Sequence, residues 1–114
     1  MKDDRVYLTH ILTAMQRVSE YAAAGKEAFF ATPMIQDAVI RNLEIVGEAV
    51  KHLSEPFKGR HPSITWRRVA GMRDKMIHEY FGVNLQLVWE VVDRDLPALR
   101  ASLESIMRGL DTQP

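Results

Sequence analysis

Apolar positions recur every three or four residues along nearly the whole chain, which is the period of an α-helix and not the alternation of a strand. Tyr7, Ile11, Ala14, Val18 and Tyr21 form a first stripe, broadened by Leu8, Met15 and Ala22, and Gly25 is placed to end it. A second helix is predicted from Thr32-Pro33, a capping residue followed by proline at the first helical position. Its stripe is Val39, Leu43, Val46, Val50 and Leu53, and it ends before Pro56. Glu55 to Pro62, with Pro56, Gly59 and Pro62, reads as the one irregular stretch. A third helical region runs from about Ser63 to Tyr80, with Gly71 in its middle as a bend or break.

Phe81-Gly82-Val83-Asn84 then reads as a turn, with Asn84 capping the last helix. In that helix Leu85, Trp89, Val92, Leu96, Leu99, Leu103, Ile106 and Leu110 keep the four-three spacing without a slip. Pro97 is expected to kink it, because proline lacks an N–H and its ring clashes one turn back. No strand-like alternation of useful length is found. Short connections between long helices favour antiparallel neighbours. The expected fold is therefore all-α: an up-down bundle of four main helices, the last split at Pro97, forming one domain over residues 1–114.

Composition narrows the function. Lys plus Arg and Asp plus Glu are 15 each, so the formal net charge is zero. That argues against a broad phosphate-binding surface but leaves room for a local basic cleft. The absence of cysteine removes disulfides, thiol nucleophiles and zinc ribbons together. Met1 to Leu12 carries Asp3, Asp4 and Arg5 and no long apolar run, so it reads as neither signal peptide nor membrane anchor, and a cytoplasmic location is expected. The scattered glycines fit no phosphate loop or dinucleotide fingerprint. The sequence contains no Glu-x-x-His of the kind that builds carboxylate-bridged metal sites in bundles. Glu48 and His52 are a lone pair at i and i+4, and no metal or other cofactor is expected.

Core logic fails in the third region. With Trp66 at zero on a helical wheel, Val69, Ala70, Ile77 and Tyr80 cluster within about 60° on either side and Met76 within about 80°, and Arg73 falls inside that apolar arc. A guanidinium there must be paired, reach solvent, or sit at an interface. Arg41, Glu44 and Glu48 share one face of the second helix, so either glutamate is a candidate partner. Such a pair is purely structural, or it orients a working arginine.

His78 follows Asp74 by four residues, which on a helix makes the two side chains neighbours. It reads either as a surface histidine beside an acid or as an imidazole whose tautomer and basicity are set for proton transfer near neutral pH. His10, His52 and His61 are read as structural. Arg73 and His78 are about 140° apart on a helix, so one helix does not aim both at one point. Two copies related by a two-fold axis would bring two arginines and two histidines to a shared cleft sized for a phosphodiester.

Arg73-Asp-Lys-Met-Ile-His78-Glu-Tyr80 resembles the R-x4-H-x-Y signature of HepT-type proteins of the HEPN superfamily. The similarity extends to Arg41-Asn-Leu-Glu-Ile-Val-Gly-Glu-Ala49, to Pro62-Ser-Ile-Thr-Trp66 with Gly71-Met-Arg73, to Tyr80-Phe-Gly-Val83 and to Asp95-Leu-Pro97. The resemblance implies a helical homodimer with the motif arginine and histidine in the dimer cleft. It implies metal-independent RNA cleavage by attack of the ribose 2′-hydroxyl on the adjacent phosphorus. His78 would act as general base or acid, Arg73 would stabilise phosphoryl charge, and Asp74 would support His78.

Such proteins act as the toxin of a type II or VII toxin–antitoxin pair. Their partner is a minimal nucleotidyltransferase antitoxin, which adenylylates the motif tyrosine, here Tyr80, from ATP. RNA is the expected substrate, and no DNA or membrane partner is expected. The competing reading is a non-catalytic HEPN module that binds a nucleotidyltransferase partner, a nucleotide or RNA without cutting. In that case, changing His78 would cost no cleavage.

Overall fold

The computed structural model describes residues 2–78 and 82–112. Helix α1 spans Lys2–Tyr21 and is continued by a 3-10 turn over Ala22–Ala24. Gly25, at φ +99°, ends it as its position in the pattern predicts. Helix α3, Pro33–Lys51, starts at Thr32-Pro33 as expected, although the Thr32 side chain makes no capping hydrogen bond. α1 and α3 pack along their length and bury the two predicted stripes against each other. Leu8, Ile11, Met15 and Val18 face Val39, Leu43, Val46 and Val50, all at most 1% exposed. Complete burial of side chains of this size is worth about 1.5–3 kcal/mol each, so this pair is the frame on which the rest is hung.

Two short helices depart from the expected pattern. α2, Lys26–Ala31, falls in a stretch with too few turns to show a period, and it buries Phe29. The stretch expected to be irregular contains α4, Glu55–Arg60. Ser54 caps α4 by accepting from the Phe57 N–H at 3.2 Å, and Pro56 sits in its first turn, where no N–H is needed. The Asp4 carboxylate accepts from the Ser54 N–H and hydroxyl, both at 2.7 Å, and so ties the cap to α1. Trp66 Nε1–H is shared between the carbonyls of Lys58 and His61, each at 3.1 Å, which pins the start of the next helix to the end of α4.

The third helical region is not one helix. It divides into α5, Trp66–Ala70, and α6, Met72–Met76, with the break at Gly71. It then leaves helical geometry altogether. β1, Ile77–His78, pairs antiparallel with β2, Gly82–Val83, in the register Ile77 to Val83 and His78 to Gly82. The Asn84 N–H donates to the Met76 carbonyl at 2.7 Å and closes this ladder. Strands of two residues carry no alternation, so sequence periodicity had nothing to register. The expectation of four main helices is corrected accordingly: the long elements are α1, α3 and the C-terminal helix, with shorter segments between them.

Asn84 caps α7, Leu85–Glu90, by accepting from the Leu87 N–H at 3.1 Å. Five π-helical residues, Val91–Asp95, connect α7 to α8, Leu96–Asp111. The Leu96 N–H reaches back to the Val91 carbonyl, a wider turn that accommodates Pro97 immediately after it. One extra residue per turn also shifts the phase. Leu96 and Leu103 are buried as predicted, but upstream the buried positions are Val88 and Val91, not Trp89 and Val92. The C-terminal helix is thus split, as Pro97 implied, and its first half is rotated by the wider turn.

Candidate functional site

The antiparallel packing of α1 and α3 sets the floor of an open cleft of about 510 Å³. α1 supplies Tyr7 and His10; α3 and its C-cap supply Arg41, Glu44, Ile45, Glu48, Ala49 and His52; α6 supplies Arg73. Spacings of three and four along α3 place Arg41, Glu44, Glu48 and His52 on this one face.

Arg73 donates from Nε to Glu44 Oε2 at 2.6 Å. Its Nη1 lies 3.5 Å from Asp74 Oδ1. The hydrogen bond to Glu44 and that carboxylate's charge hold the Arg73 pKa above its ordinary value; desolvation opposes them, and Asp74 adds a smaller push upward. An arginine is cationic at ordinary pH in any case, and these contacts favour the charged form further. Its side chain is 52% exposed and that of Glu44 only 28%, so the carboxylate anchors from the helix surface and the guanidinium stands at the mouth of the cleft. Of the two candidate glutamates, Glu44 is the partner. Glu48 turns to His52 Nε2 at 3.4 Å and Lys51 Nζ at 3.8 Å.

What lets the end of α5 come near α3 is Gly47. A Cβ at that position would stand 3.1 Å from the Ala70 carbonyl oxygen and 3.5 Å from that of Val69. Gly47 lies one turn beyond Glu44 on α3, and Ala70 lies just before the break that releases α6. Close backbone approach at Gly47 thus holds the end of α5 against α3, one turn from Glu44.

His78 is described by its backbone, in β1. Helical geometry ends at Met76, so the i, i+4 spacing that was to bring Asp74 beside His78, and the 140° separation of Arg73 from His78, lose their basis. Asp74 contacts Arg73 instead. Opposite His78, Gly82 takes φ +85°, a conformation costly for any residue with a Cβ, which explains glycine there. Tyr80 lies outside the described residues.

Three cleft residues were not singled out by sequence: Tyr7, read as core, and His10 and His52, read as structural. The rings of Tyr7 and His52 are stacked, 5.1 Å apart and 14° from parallel. His10 meets Tyr7 edge-on at 6.1 Å. The spacings Tyr7 to His10 and Glu48 to His52 are visible in the sequence, but the α1–α3 pairing is needed to bring them together. Among the described residues, no group of three or more His, Cys, Asp or Glu is arranged to hold a metal ion. No helix there is long and apolar enough to cross a membrane.

A family model described as "Ribonuclease HepT-like" matches residues 11–106. The chain belongs to the HepT-like family. It is 45% identical over 111 residues to a Methanocaldococcus jannaschii protein named "Gamma-glutamylcyclotransferase and putative RNase", covering 96% of this chain and 50% of that protein. This HepT-like chain thus spans about half the length of that relative. It is 41% identical over 109 residues to a "Putative RNase" of Caldanaerobacter subterraneus, covering 95% of this chain and 97% of that one. A "Probable ribonuclease HepT" of Thermococcus cleftensis is 42% identical over 103 residues, 90% of this chain and 94% of that protein. No solved structure matches the HepT-like chain significantly.

Proposed function

We propose that the chain is a toxin-type endoribonuclease that cleaves RNA without a metal, as one helical domain over 1–114 acting as a homodimer in the cytoplasm. The observation that carries this reading is Arg73, a permanently cationic guanidinium fixed by Glu44 at the mouth of an open cleft, five residues before His78 in a HepT-like chain. Relatives covered over nearly their whole length bear ribonuclease names.

In the proposed reaction a ribose 2′-hydroxyl attacks the adjacent phosphorus. The new bond is from the 2′-oxygen to phosphorus, the bond broken is from phosphorus to the 5′-oxygen, and the products are a 2′,3′-cyclic phosphate and a 5′-hydroxyl. His78 takes the proton from the 2′-oxygen or delivers one to the leaving oxygen. In the dimer the second copy's histidine provides the complementary step. Arg73 stabilises charge building on the non-bridging oxygens. Glu44 and Asp74 hold Arg73 in place, and Arg41 adds positive charge to the same cleft wall.

The partner in this reading is a nucleotidyltransferase antitoxin of a type II or VII pair. It would transfer the adenylyl group of ATP to the Tyr80 hydroxyl and release pyrophosphate, adding bulk and negative charge two residues from His78. The test compares wild type, His78→Ala and Tyr80→Phe, expressed without a partner. Wild type should cut RNA in the presence of EDTA and arrest growth. His78→Ala should do neither and still dimerise. Tyr80→Phe should remain toxic but accept no adenylyl group. If His78→Ala cuts as well as wild type, the assignment is wrong. If wild type leaves RNA intact, the non-catalytic module takes its place.

A further inference from the structure

We propose that the stacked Tyr7–His52 pair is a nucleobase subsite of the Arg73 cleft, and that it makes the protein selective for single-stranded RNA. The inference rests on the ribonuclease reading of that cleft and names how its substrate is gripped.

Charge supplies only part of the grip. Affinity for nucleic acid ordinarily comes from cations neutralising phosphates. Here Lys plus Arg only equals Asp plus Glu, and within the cleft Arg41 and Arg73 stand beside Glu44 and Glu48. The alternative is base stacking, which tolerates any sequence because every base has a π-face. The cleft contains the means. Tyr7 is half-buried in α1, and one face of the His52 ring lies on it nearly parallel. His52 is 53% exposed on its side chain and is steadied by Glu48 at 3.4 Å.

A nucleobase laid on the outer face of His52 would continue the stack as its third ring, with the attached phosphate in the same cleft as Arg73. A duplex cannot do this, because its bases already stack on one another and must first be splayed out. The edge-on His10 ring walls the stack on the α1 side. Nothing in the HepT-type signature reaches Tyr7 or His10, and the family match begins at residue 11.

The test is fluorescence anisotropy with a labelled 2′-O-methyl RNA hexamer, which cannot be cleaved, and with a short RNA duplex. Proteins are wild type, His52→Leu and His52→Phe, each checked for helical content and melting temperature. Wild type should bind the single strand well above the duplex. Loss of the ring in His52→Leu should weaken single-strand binding by about tenfold, and His52→Phe should stay within about twofold of wild type. The salt dependence should be shallow, no steeper than a log–log slope of about −1.5, corresponding to one or two phosphates.

Equal binding by wild type and His52→Leu, or equal loss in His52→Leu and His52→Phe, overturns the subsite. So does duplex binding as tight as single-strand binding. Cleavage of unmodified RNA is measured alongside. Ring-dependent binding without cleavage would retain the subsite and remove the ribonuclease reading. Cleavage with ring-independent binding would do the reverse.

Discussion

At the scale of single residues, most of the site's geometry follows from one carboxylate. Glu44 accepts from Arg73 Nε and decides which way the guanidinium faces. Glu44→Gln keeps the shape of that contact and removes its charge, whereas Glu44→Ala frees the arginine to wander. Misplacement of a charge clamp by about 1 Å costs on the order of a hundredfold in rate. Glu44→Ala should therefore lower kcat/KM of RNA cleavage by about 10–100-fold with little change in melting temperature, since Arg73 is exposed. Steady-state kinetics beside a thermal melt checks both halves. Arginine carries its charge throughout the accessible range, and the contacts with Glu44 only reinforce it. Any limb of the pH–rate profile near neutrality must come from another group. Asp4 plays the opposite part, stabilising without catalysing. It is 4% exposed and holds the α4 cap through two hydrogen bonds. Asp4→Ala should destabilise the fold by about 2 kcal/mol, measured by urea denaturation, and leave single-turnover cleavage by folded protein unchanged. The arc that marked Arg73 as a misfit assumed one helix through Tyr80, and the break at Gly71 with the strand at Ile77 removes it; the narrowing of the partner to two glutamates stands, since Glu44 is one of them. Only three-dimensional packing chose between them, because Glu44 and Glu48 lie on one helix face.

At the scale of elements, what could be read in the sequence tracked length. α1 and α3 run long enough for their stripes to be unmistakable, and Thr32-Pro33 marked a boundary correctly. α2 and α4 span less than two turns each, and α4 contains Pro56 and Gly59, which usually signal loops. The C-terminal helix misled differently, since eight apolar positions kept perfect α-periodicity through a segment that is π-helical. The wider turn before Pro97 goes with burial of Val88 and Val91, while Trp89 and Val92 are partly buried and still packed against the core. The short β1–β2 ladder left the His78 region misread as helix, which removed the argument that paired Asp74 with His78. Gly47 connects this scale to the site. Gly47→Ala would gain helix propensity but drive a methyl against fixed backbone carbonyls of α5. The expected balance is a loss of about 1 kcal/mol, with a further drop in cleavage as α6 and Arg73 are pushed from Glu44. A double-mutant cycle with Glu44→Ala should show non-additive losses in kcat/KM; strict additivity would separate Gly47 from the site.

At the scale of the whole molecule, the chain is an elongated body of 48 × 28 × 20 Å with a radius of gyration of 14.5 Å. A domain of this length packs to about 13 Å when round, so the shape offers broad faces for a second copy. The proposed dimer should appear at twice the 13.1 kDa chain mass in sedimentation, and His78→Ala should leave it there. The measurement that tests the account most directly is cleavage of single-stranded RNA by purified wild type, His78→Ala and Arg73→Ala in EDTA, with dimer mass and helical content recorded for each. Wild type should cleave to 2′,3′-cyclic phosphate ends, and both variants should lose at least about a hundredfold with the dimer intact. Cleavage by His78→Ala or Arg73→Ala at the wild-type rate would contradict this expectation.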